Sequence, residues 1–351
     1  MKKTILILST LMISAAMLGA CSKSTPETEP AGSITDSNNT EQTNPFESGQ
    51  AAANLGSMGH GFANPQVDAN GKMLPFRYEG QEMKIDYAAH ASGKGKNIGF
   101  LLYVDGVAQP YKFNETDAPY EYMHIVELAE DDKDTPFSFL FTPVTGKKGE
   151  TANINIIAMY NPAFMPDMKE TSSYGFYHDT LEATGSLAFD QDTSGLDVST
   201  IPQFKQLSDV RLSSEPVTKE LMERHSGLET VDLDKLDTSV YSEVLIDGEA
   251  KQDNYRLKDG KLQLTLKMFG HPGVRFKHIF YLNHKPLTDE NGQIIETELN
   301  KGEVAVIDAV LDTKKLDDLN TFYTISIPMN AADFPDDVVV AVKTASLLLY
   351  K

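Results

Sequence analysis

The chain has 351 residues, a formal net charge of −20 at pH 7 and hydrophobic residues at 40% of its positions. Phosphate backbones repel so acidic a chain, which argues against nucleic acid as a partner. The hydrophobic content suffices for packed cores, and the length suits two ordinary domains and a linker.

The first 21 residues have the layout of an export signal. Lys2-Lys3 precede an apolar stretch, Ile5 to Ala20, whose 16 residues fall short of the roughly 20 needed to span a bilayer. The stretch ends at Leu18-Gly19-Ala20-Cys21, and Cys21 is the single cysteine of the chain. These residues resemble the signal peptide and lipobox of bacterial lipoproteins.

That resemblance implies export, cleavage before Cys21, and lipid, palmitate included, on the sulfur and on the new amino terminus. Cleavage removes Lys2 and Lys3 and no acids, so the net charge goes from −20 to −22. With Cys21 acylated no thiol remains, and the fold must stand without disulfides. We therefore expect an extracytoplasmic protein held on the cell membrane by its lipid. Ser22 is compatible with an outer-membrane location in a cell with two membranes.

A polar stretch follows the predicted cleavage site. Ser, Thr, Pro, Glu, Asn and Gln dominate residues 22–50, which cannot bury enough surface to offset their ordering entropy. We predict a disordered tether over 21–72. The Gly-rich run Leu55–Phe62 lies inside it, and we interpret that run as linker rather than as a segment docked on the first domain.

Strand patterns begin near Met73. Met83–Tyr87 alternates apolar and polar residues, as half-buried strands do, and Phe100–Val104 is a denser apolar run followed by the turn Asp105-Gly106. Phe137–Phe141 and Ile154–Ala158 add two further strands. These signals predict a first domain over 73–195.

The same order of apolar blocks returns in the second half, at spacings of about 178 to 186 residues. This predicts an internal duplication and a second domain over 241–351. The matched pairs are Met83–Tyr87 with Leu262–Leu266, Leu101–Asp105 with Ile279–Asn283, His124–Leu128 with Val306–Leu311, Phe137–Pro143 with Tyr323–Pro328, and Ile154–Ala158 with Val338–Val342.

Residues 196–240 form the predicted connector. Ser214 is a candidate helix cap ahead of Glu215-Pro216, and Val217–His225 is the predicted helix, with Gly227 as its stop. We expect its apolar residues to pack against a domain.

Short strands, frequent turns and the lack of long helical periods predict an all-β fold. We expect two tandem antiparallel β-sandwich domains of immunoglobulin-like type, joined by a short, partly helical connector. The Cys-Trp-Cys spacing of antibody domains is absent from the sequence. β-barrel-like modules with the same number of strands are the alternative.

One segment partly matches a calcium-binding loop. Asp190, Asp192 and Ser194 place oxygen ligands at positions 1, 3 and 5, and Gly195 follows at position 6. Position 12, where a bidentate Glu is expected, is Ile201. We favour a polar turn over a calcium site, and we predict no cofactor.

The sequence offers little for catalysis. The eight histidines are scattered, and the nucleophile motif G-x-S-x-G does not occur. Gly93–Gly99 resembles a phosphate loop only faintly, and acidic pairs such as Glu121/Glu127 arise freely in a chain with 51 acids. We predict a protein that is not an enzyme.

The segment 160–178, here called the aromatic segment, is unlike an ordinary solvated loop because it is rich in aromatic, Met, Pro and Gly residues. Aromatic and Met side chains favour contact surfaces, although an extra strand or an interdomain plug would explain the same composition. The candidate partner-binding residues are Tyr160, Phe164, Met165, Tyr174, Phe176 and Tyr177.

Three functions remain open at this point. The sequence favours a lipid-anchored surface protein that acts as a binding or scaffold module for an envelope partner. A substrate-capture lipoprotein of a transporter is the second hypothesis, and a β-sandwich hydrolase is the third.

Overall fold

The computed structural model describes residues 57–92, 97–128, 133–164, 178–193, 196, 198, 201, 204–205, 207–225, 236–250, 253–258, 260–288, 292 and 294–351. The predicted signal peptide, Cys21 and the tether up to residue 56 lie outside these residues. All described residues belong to one compact unit, Ser48–Lys351. They contain many β-strands and one α-helix, which confirms the all-β prediction.

The described residues of the first sandwich form ten strands in two sheets. In chain order these are β1 (Met58–Phe62), β2 (Phe76–Tyr78), β3 (Met83–Ala91), β4 (Asn97–Val104), β5 (Val107–Gln109), β6 (Lys112–Phe113), β7 (Met123–Glu127), β8 (Thr135–Phe141), β9 (Thr151–Tyr160) and β10 (Thr180–Phe189). The outer sheet has the order β1-β3-β8-β6. The inner sheet has the order β2-β10-β9-β4-β5, and β7 also pairs with β4.

The second sandwich repeats this plan. Its elements are β11 (Phe204–Lys205), β12 (Leu207–Pro216), α1 (Lys219–His225), β13 (Val240–Ile246), β14 (Glu249–Ala250), β15 (Asn254–Arg256), β16 (Lys261–Gly270), β17 (Arg275–Leu282), β18 (Lys285–Thr288), β19 (Ile295–Glu298), β20 (Glu303–Asp312), β21 (Leu319–Pro328), β22 (Val342–Lys343) and β23 (Leu347–Tyr350). The inner sheet has the order β11-β18-β17-β21-β23-β15, with β19 on β17 and β22 on β21. The outer sheet has the order β12-β20-β16-β13-β14.

The strand order is that of an immunoglobulin-like domain. In the first sandwich, β1-β3-β8-β6 corresponds to strands A-B-E-D, and β10-β9-β4-β5 corresponds to G-F-C-C′. β2 runs parallel to β10, whereas the other pairs of this sandwich are antiparallel. The strands form separate sheets rather than one closed sheet, so the fold is a β-sandwich and not the β-barrel alternative.

The two sandwiches stack face to face, so the described residues form four β-layers. β3 alternates buried and accessible residues because only one of its faces meets a core. β4 and β21 are buried along nearly their whole length because each lies in an inner sheet and is covered on both faces. The layer between the inner sheets, here called the seam, is formed by Leu101, Tyr103, Met123, Ile157, Met159, Tyr281, Tyr323, Ile325 and Ile327.

Two of the five matched sequence blocks occupy equivalent strands, and three do not. β3 and β16 are equivalent, as are β4 and β17, because each pair has the same sheet neighbours. β20, however, corresponds to β8, and β21 corresponds to β9, so the later matches are wrong by one strand. Val338–Ala341 is not a strand. Simple alternation makes the sequence of one antiparallel strand resemble that of the next, so three blocks were matched with the wrong segment.

The predicted tether is wrong at its end. Met58–Phe62 is a strand that pairs with β3, so this part of the Gly-rich run belongs to the outer sheet. A Cβ atom at Gly59 would lie 2.5 Å from Nε2 of His90 on the neighbouring strand. The His90 ring therefore lies directly over Gly59, and glycine serves a close approach at this position rather than flexibility.

The predicted connector is also shorter than expected. Leu207–Pro216 is a strand on β20, where the first sandwich has its D strand. The helix begins at Lys219 rather than Val217, because Ser214 lies within β12, which continues to Pro216, and Thr218 provides the cap instead. The Thr218 hydroxyl accepts the Leu221 N–H at 3.2 Å.

Candidate functional site

The centre of the seam is a hydrogen bond between two buried tyrosines. The hydroxyls of Tyr103 and Tyr281 lie 2.7 Å apart, and the Tyr323 ring stacks on Tyr281 at a centroid distance of 5.1 Å. Burial raises the pKa of both hydrogen-bonded hydroxyls, so neither ionises near neutral pH. The seam is therefore a packed interface with a satisfied polar pair at its middle.

The hairpin after each central strand reaches across the seam. Asp105 and Gly106 both have positive φ, as the two-residue turn of a twisted hairpin requires, and so do Asn283 and His284. Lys277 of the second sandwich donates to the Asp105 carbonyl at 2.8 Å. The first hairpin tip is thereby held against the second sandwich.

His284 performs the reciprocal role at the other tip. Its Nδ1 lies 3.1 Å from the Tyr323 hydroxyl and its Nε2 lies 3.0 Å from the Pro162 carbonyl of the first sandwich. Its φ of 62° is costly for a residue with a Cβ, and the equivalent residue in the first sandwich is Gly106. Backbone strain that persists at a bridging residue motivates a functional hypothesis for the site.

The aromatic segment begins and ends at this seam. The Tyr160 N–H donates to the Asp179 carbonyl at 2.8 Å, which closes the base of the segment. The Asn161 N–H donates to the Asn97 carbonyl, and the Phe164 N–H donates to the Asn161 carbonyl, which closes a tight turn. Tyr160 and Phe164 therefore lie at the root. The candidates Met165, Tyr174, Phe176 and Tyr177 lie outside the described residues.

His178 anchors the other end of the segment. Its side chain is fully buried, and its ring centroid lies 6.1 Å from that of His284. Burial, together with the nearby Lys343, lowers the pKa of His178 to about 3 and that of His284 to about 4. Both imidazoles are therefore neutral at physiological pH, and they can be buried at the seam without the cost of desolvating a charge.

The aromatic segment occupies the F–G position of an immunoglobulin-like domain, where variable domains carry a recognition loop. The second sandwich has a counterpart of this segment. Residues 329–341 connect β21 to β22 at the same topological position in the second sandwich, with a short 3-10 helix at Ala331–Asp333.

The calcium candidates have other partners in this structure. Asp190 receives two hydrogen bonds from the Arg77 guanidinium, at 2.9 and 2.6 Å, and Asp192 accepts the Lys148 N–H at 2.9 Å. Ser194 lies outside the described residues. Among the residues that are described, no group of three or more His, Cys, Asp or Glu side chains is arranged to hold a metal ion.

Two buried histidines of the second sandwich pack within the fold. His278 has Ser326 Oγ and Thr297 Oγ1 at 2.8 and 2.7 Å from its two ring nitrogens. His271 lies 3.3 Å from an Asp337 carboxylate oxygen. Of the loops noted above, 93–96 lies outside the described residues, and Asn97–Gly99 belongs to β4.

A cavity of about 300 Å³ lies beside the seam. Both sandwiches contribute to its mostly apolar lining, which includes Ala108, Val144, Ile279, Leu287 and Ile295. Its volume is at the lower end of the range typical of small-molecule sites. The sequence analysis missed this cavity because it exists only where the two sandwiches meet.

The fold places the chain in the class of tandem immunoglobulin-like proteins. No protein-family model matches the chain, and no curated protein matches it. It is similar to the C-terminal domain of the Streptococcus pyogenes antigen I/II-family protein AspA, with 9% identity over 85% of this chain and all (100%) of that chain and a TM-score of 0.21.

A second similar structure is the N-terminal Ig1-2 module of the Drosophila receptor protein tyrosine phosphatase DLAR, with 10% identity over 84% of this chain and 97% of that chain and a TM-score of 0.20. The immunoglobulin-like assignment rests on the strand order and not on these similarities. No helix within the described part of the chain is long and apolar enough to cross a membrane.

Proposed function

We propose that this protein is a lipid-anchored extracytoplasmic binding module that uses its aromatic segment to hold an envelope partner. In this proposal the protein performs no chemistry on that partner. The lipid on Cys21 fixes it to the membrane, and the polar residues after Cys21 give the module reach.

The observation that carries the proposal is the way in which the aromatic segment is mounted. Its first turn is hydrogen-bonded to His284 of the other sandwich, and its end is the buried His178. Loops that are fixed at both ends by a rigid scaffold are a common location for binding residues. The remaining residues, 165–177, include Tyr174, Phe176 and Tyr177, which are side-chain types enriched at interfaces.

A crosslinked pull-down from intact cells tests the proposal. The full-length lipidated protein is compared with a variant whose residues 165–177 are replaced by a Gly/Ser loop of equal length. Tyr160–Phe164 and His178 are kept because they support the seam. A second variant, with residues 129–132 replaced in the same way, is the matched control for loop replacement.

We expect one envelope protein to be recovered with the parent and with the 129–132 control, and lost with the 165–177 replacement. Equal recovery with all three chains, or recovery with none, contradicts the proposal. Membrane extraction of a Cys21→Ser variant tests the lipid separately, because that variant should leave the membrane fraction.

The apolar cavity favours a second candidate, a lipoprotein that captures a small substrate. A cavity between two domains with an apolar lining is a common location for small-molecule sites. A thermal-shift screen of the full chain against sugars, peptides and apolar small molecules separates the candidates. If a ligand raises the melting temperature of the parent but not of an Ala108→Trp variant, the result supports capture in this cavity. If the melting temperature of the variant rises as well, the ligand binds elsewhere.

A further inference from the structure

A second cavity lies at the edge of the seam, with a volume of about 220 Å³. One wall comes from the first sandwich and the other from the second. Two of the lining side chains, Leu181 and Val340, are 44% and 49% exposed, so the cavity lies at the surface of the molecule. The remaining lining residues are Ile157, Thr180, Glu182, Ala341 and Lys343.

Strand register aims one acidic and one basic side chain into the seam at this cavity. Glu182 pairs with Ile157, and Lys343 pairs with Ile325. Paired residues of adjacent strands project to the same face, and both isoleucines belong to the seam. Glu182 and Lys343 therefore project from facing sheets.

The contacts of the Lys343 amine suit its neutral form. Nζ donates to the Thr344 carbonyl and to Ser346 Oγ, each at 3.0 Å, and these two bonds use both hydrogens of a neutral amine. The Tyr323 ring, whose centroid lies 5.1 Å from Nζ, and the Asp179 charge favour the cation. Among the described residues, no carboxylate oxygen lies within salt-bridge distance of Nζ.

Burial lowers the pKa of Lys343 to about 7, and the Asp179 charge only partly offsets this effect. The amine is then unprotonated on a large fraction of molecules at neutral pH, whereas a solvated lysine is protonated on nearly all of them. Desolvated lysines in apolar pockets are the ones that act as nucleophiles toward carbonyl groups.

We propose that Lys343 is a covalent capture site for small aldehydes with a short apolar substituent, which enter the cavity between the two sandwiches and form an imine with Nζ. The apolar walls Leu181, Val340 and Ala341 receive the substituent. This site is separate from the aromatic segment and does not depend on the partner proposed above.

The reaction balances without an oxidant or a reductant. The Nζ lone pair attacks the carbonyl carbon, and the π electrons move to oxygen, which takes up a proton as nitrogen loses one. The carbinolamine then expels that oxygen as water while nitrogen forms the C=N bond and releases its second proton. Water that enters the cavity exchanges these protons, while Glu182 is held in the cavity wall by hydrogen bonds from the Ala341 N–H at 2.8 Å and from Asn155 Nδ2 at 2.7 Å.

Reductive trapping of the full-length protein in detergent tests the site. Limiting propanal and sodium cyanoborohydride are added at pH 7, and peptide mass spectrometry follows propylation at each lysine. Lys219 and Lys301, whose side chains are 86% and 76% exposed, are internal controls in the same sample. We expect Lys343 to react about tenfold faster than either, or more, because so little of a solvated amine is neutral at this pH.

The pH profile and two variants complete the test. The propylation rate at Lys343 should level off above about pH 8, whereas the rate for an ordinary solvated lysine rises up to a pH of about 10. Val340→Trp fills the rim and should slow propylation of Lys343 several-fold. Val338→Trp is the matched control, because Val338 is 84% exposed and does not line the cavity.

Propylation of Lys343 no faster than that of Lys219 overturns the proposal, and this comparison requires no variant. Equal rates at Lys343 in the two Trp variants also overturn it, since the cavity would then play no part. A fast, cavity-dependent reaction at Lys343 supports it.

Discussion

Tyr103 and Tyr281 stand at equivalent positions of the two sandwiches, 178 residues apart in the chain, and their hydroxyls bond to each other. A contact between equivalent residues is the mark of a two-fold interface. The hairpin tips follow the same symmetry, since Asp105 is held by Lys277 and His284 is held at Pro162. The seam thus joins the two sandwiches as a symmetric dimer interface joins two subunits.

The tyrosine pair predicts a specific pattern of coupling. Tyr103→Phe or Tyr281→Phe alone leaves one buried hydroxyl without its partner and should cost about 1–2 kcal/mol of unfolding free energy. The double variant removes both hydroxyls and should cost clearly less than the sum. Denaturant unfolding of the four proteins checks this, and simple additivity would contradict the proposed pairing.

Neutral buried histidines predict a loss of stability in acid. Burial lowers the pKa of His178 and His278 to about 3, whereas an unfolded histidine titrates near 6.5. Below pH 6.5 these histidines bind protons in the unfolded chain but remain unprotonated in the folded chain. The contribution of each neutral histidine to the unfolding free energy is therefore fully present above pH 6.5. It is lost progressively as the pH drops toward the folded pKa.

Between pH 7.5 and pH 5, each of these histidines should cost about 2 kcal/mol of unfolding free energy. Urea unfolding at the two pH values measures the loss. A His278→Gln variant should show a loss smaller by about 2 kcal/mol, even if it is less stable at pH 7.5. A wild-type stability that does not change over this range would contradict the prediction.

A substitution at Gly99 tests whether the root of the aromatic segment is tightly packed. A Cβ atom at Gly99 would lie 2.6 Å from Met123 Sδ and 2.9 Å from Pro162 Cγ, so Gly99→Ala must displace the turn. We expect a loss of about 1–3 kcal/mol and weaker partner recovery. Gly61→Ala is the control, because no heavy atom lies within 4 Å of its Cβ position. Equal stability of the two variants would argue against a tightly packed root.

His284 tests whether its contacts outweigh its backbone strain. Glycine at this position relieves the strain but removes the contacts with Tyr323 and Pro162, and we expect a net loss of about 1 kcal/mol. Asn64→Gly is the comparison, since Asn64 is exposed with a φ of 50° and should be neutral or slightly stabilised. Thermal unfolding separates the two, and a stabilised His284→Gly would remove the bridging role.

The sequence predicts the strands well and their assembly poorly. Alternation in Met83–Tyr87 and the turn after Val104 identify strands because their causes are local. The dense run Phe100–Val104 carried a further signal, since a strand that is apolar on both faces must be covered on both. The sequence does not say which surface covers the second face, because the stacking of the two sandwiches joins residues far apart in the chain.

The site divides in the same way. Composition alone marked the aromatic segment, but its anchoring by His284 joins residues far apart in the chain and has no local signal. Lys343 has no local sequence signal because one wall of its cavity comes from the opposite sandwich. The Gly-rich run was misassigned because a glycine required for close packing resembles a glycine in a linker.

Site-specific photo-crosslinking in intact cells tests the central claim, that the aromatic segment contacts the partner. A photoreactive phenylalanine is placed at Phe176 or, as the control, at Leu212, which is 52% exposed on β12. We predict a single crosslinked envelope protein from position 176 and none from position 212. No adduct at 176, or the same adduct at both positions, would contradict the account.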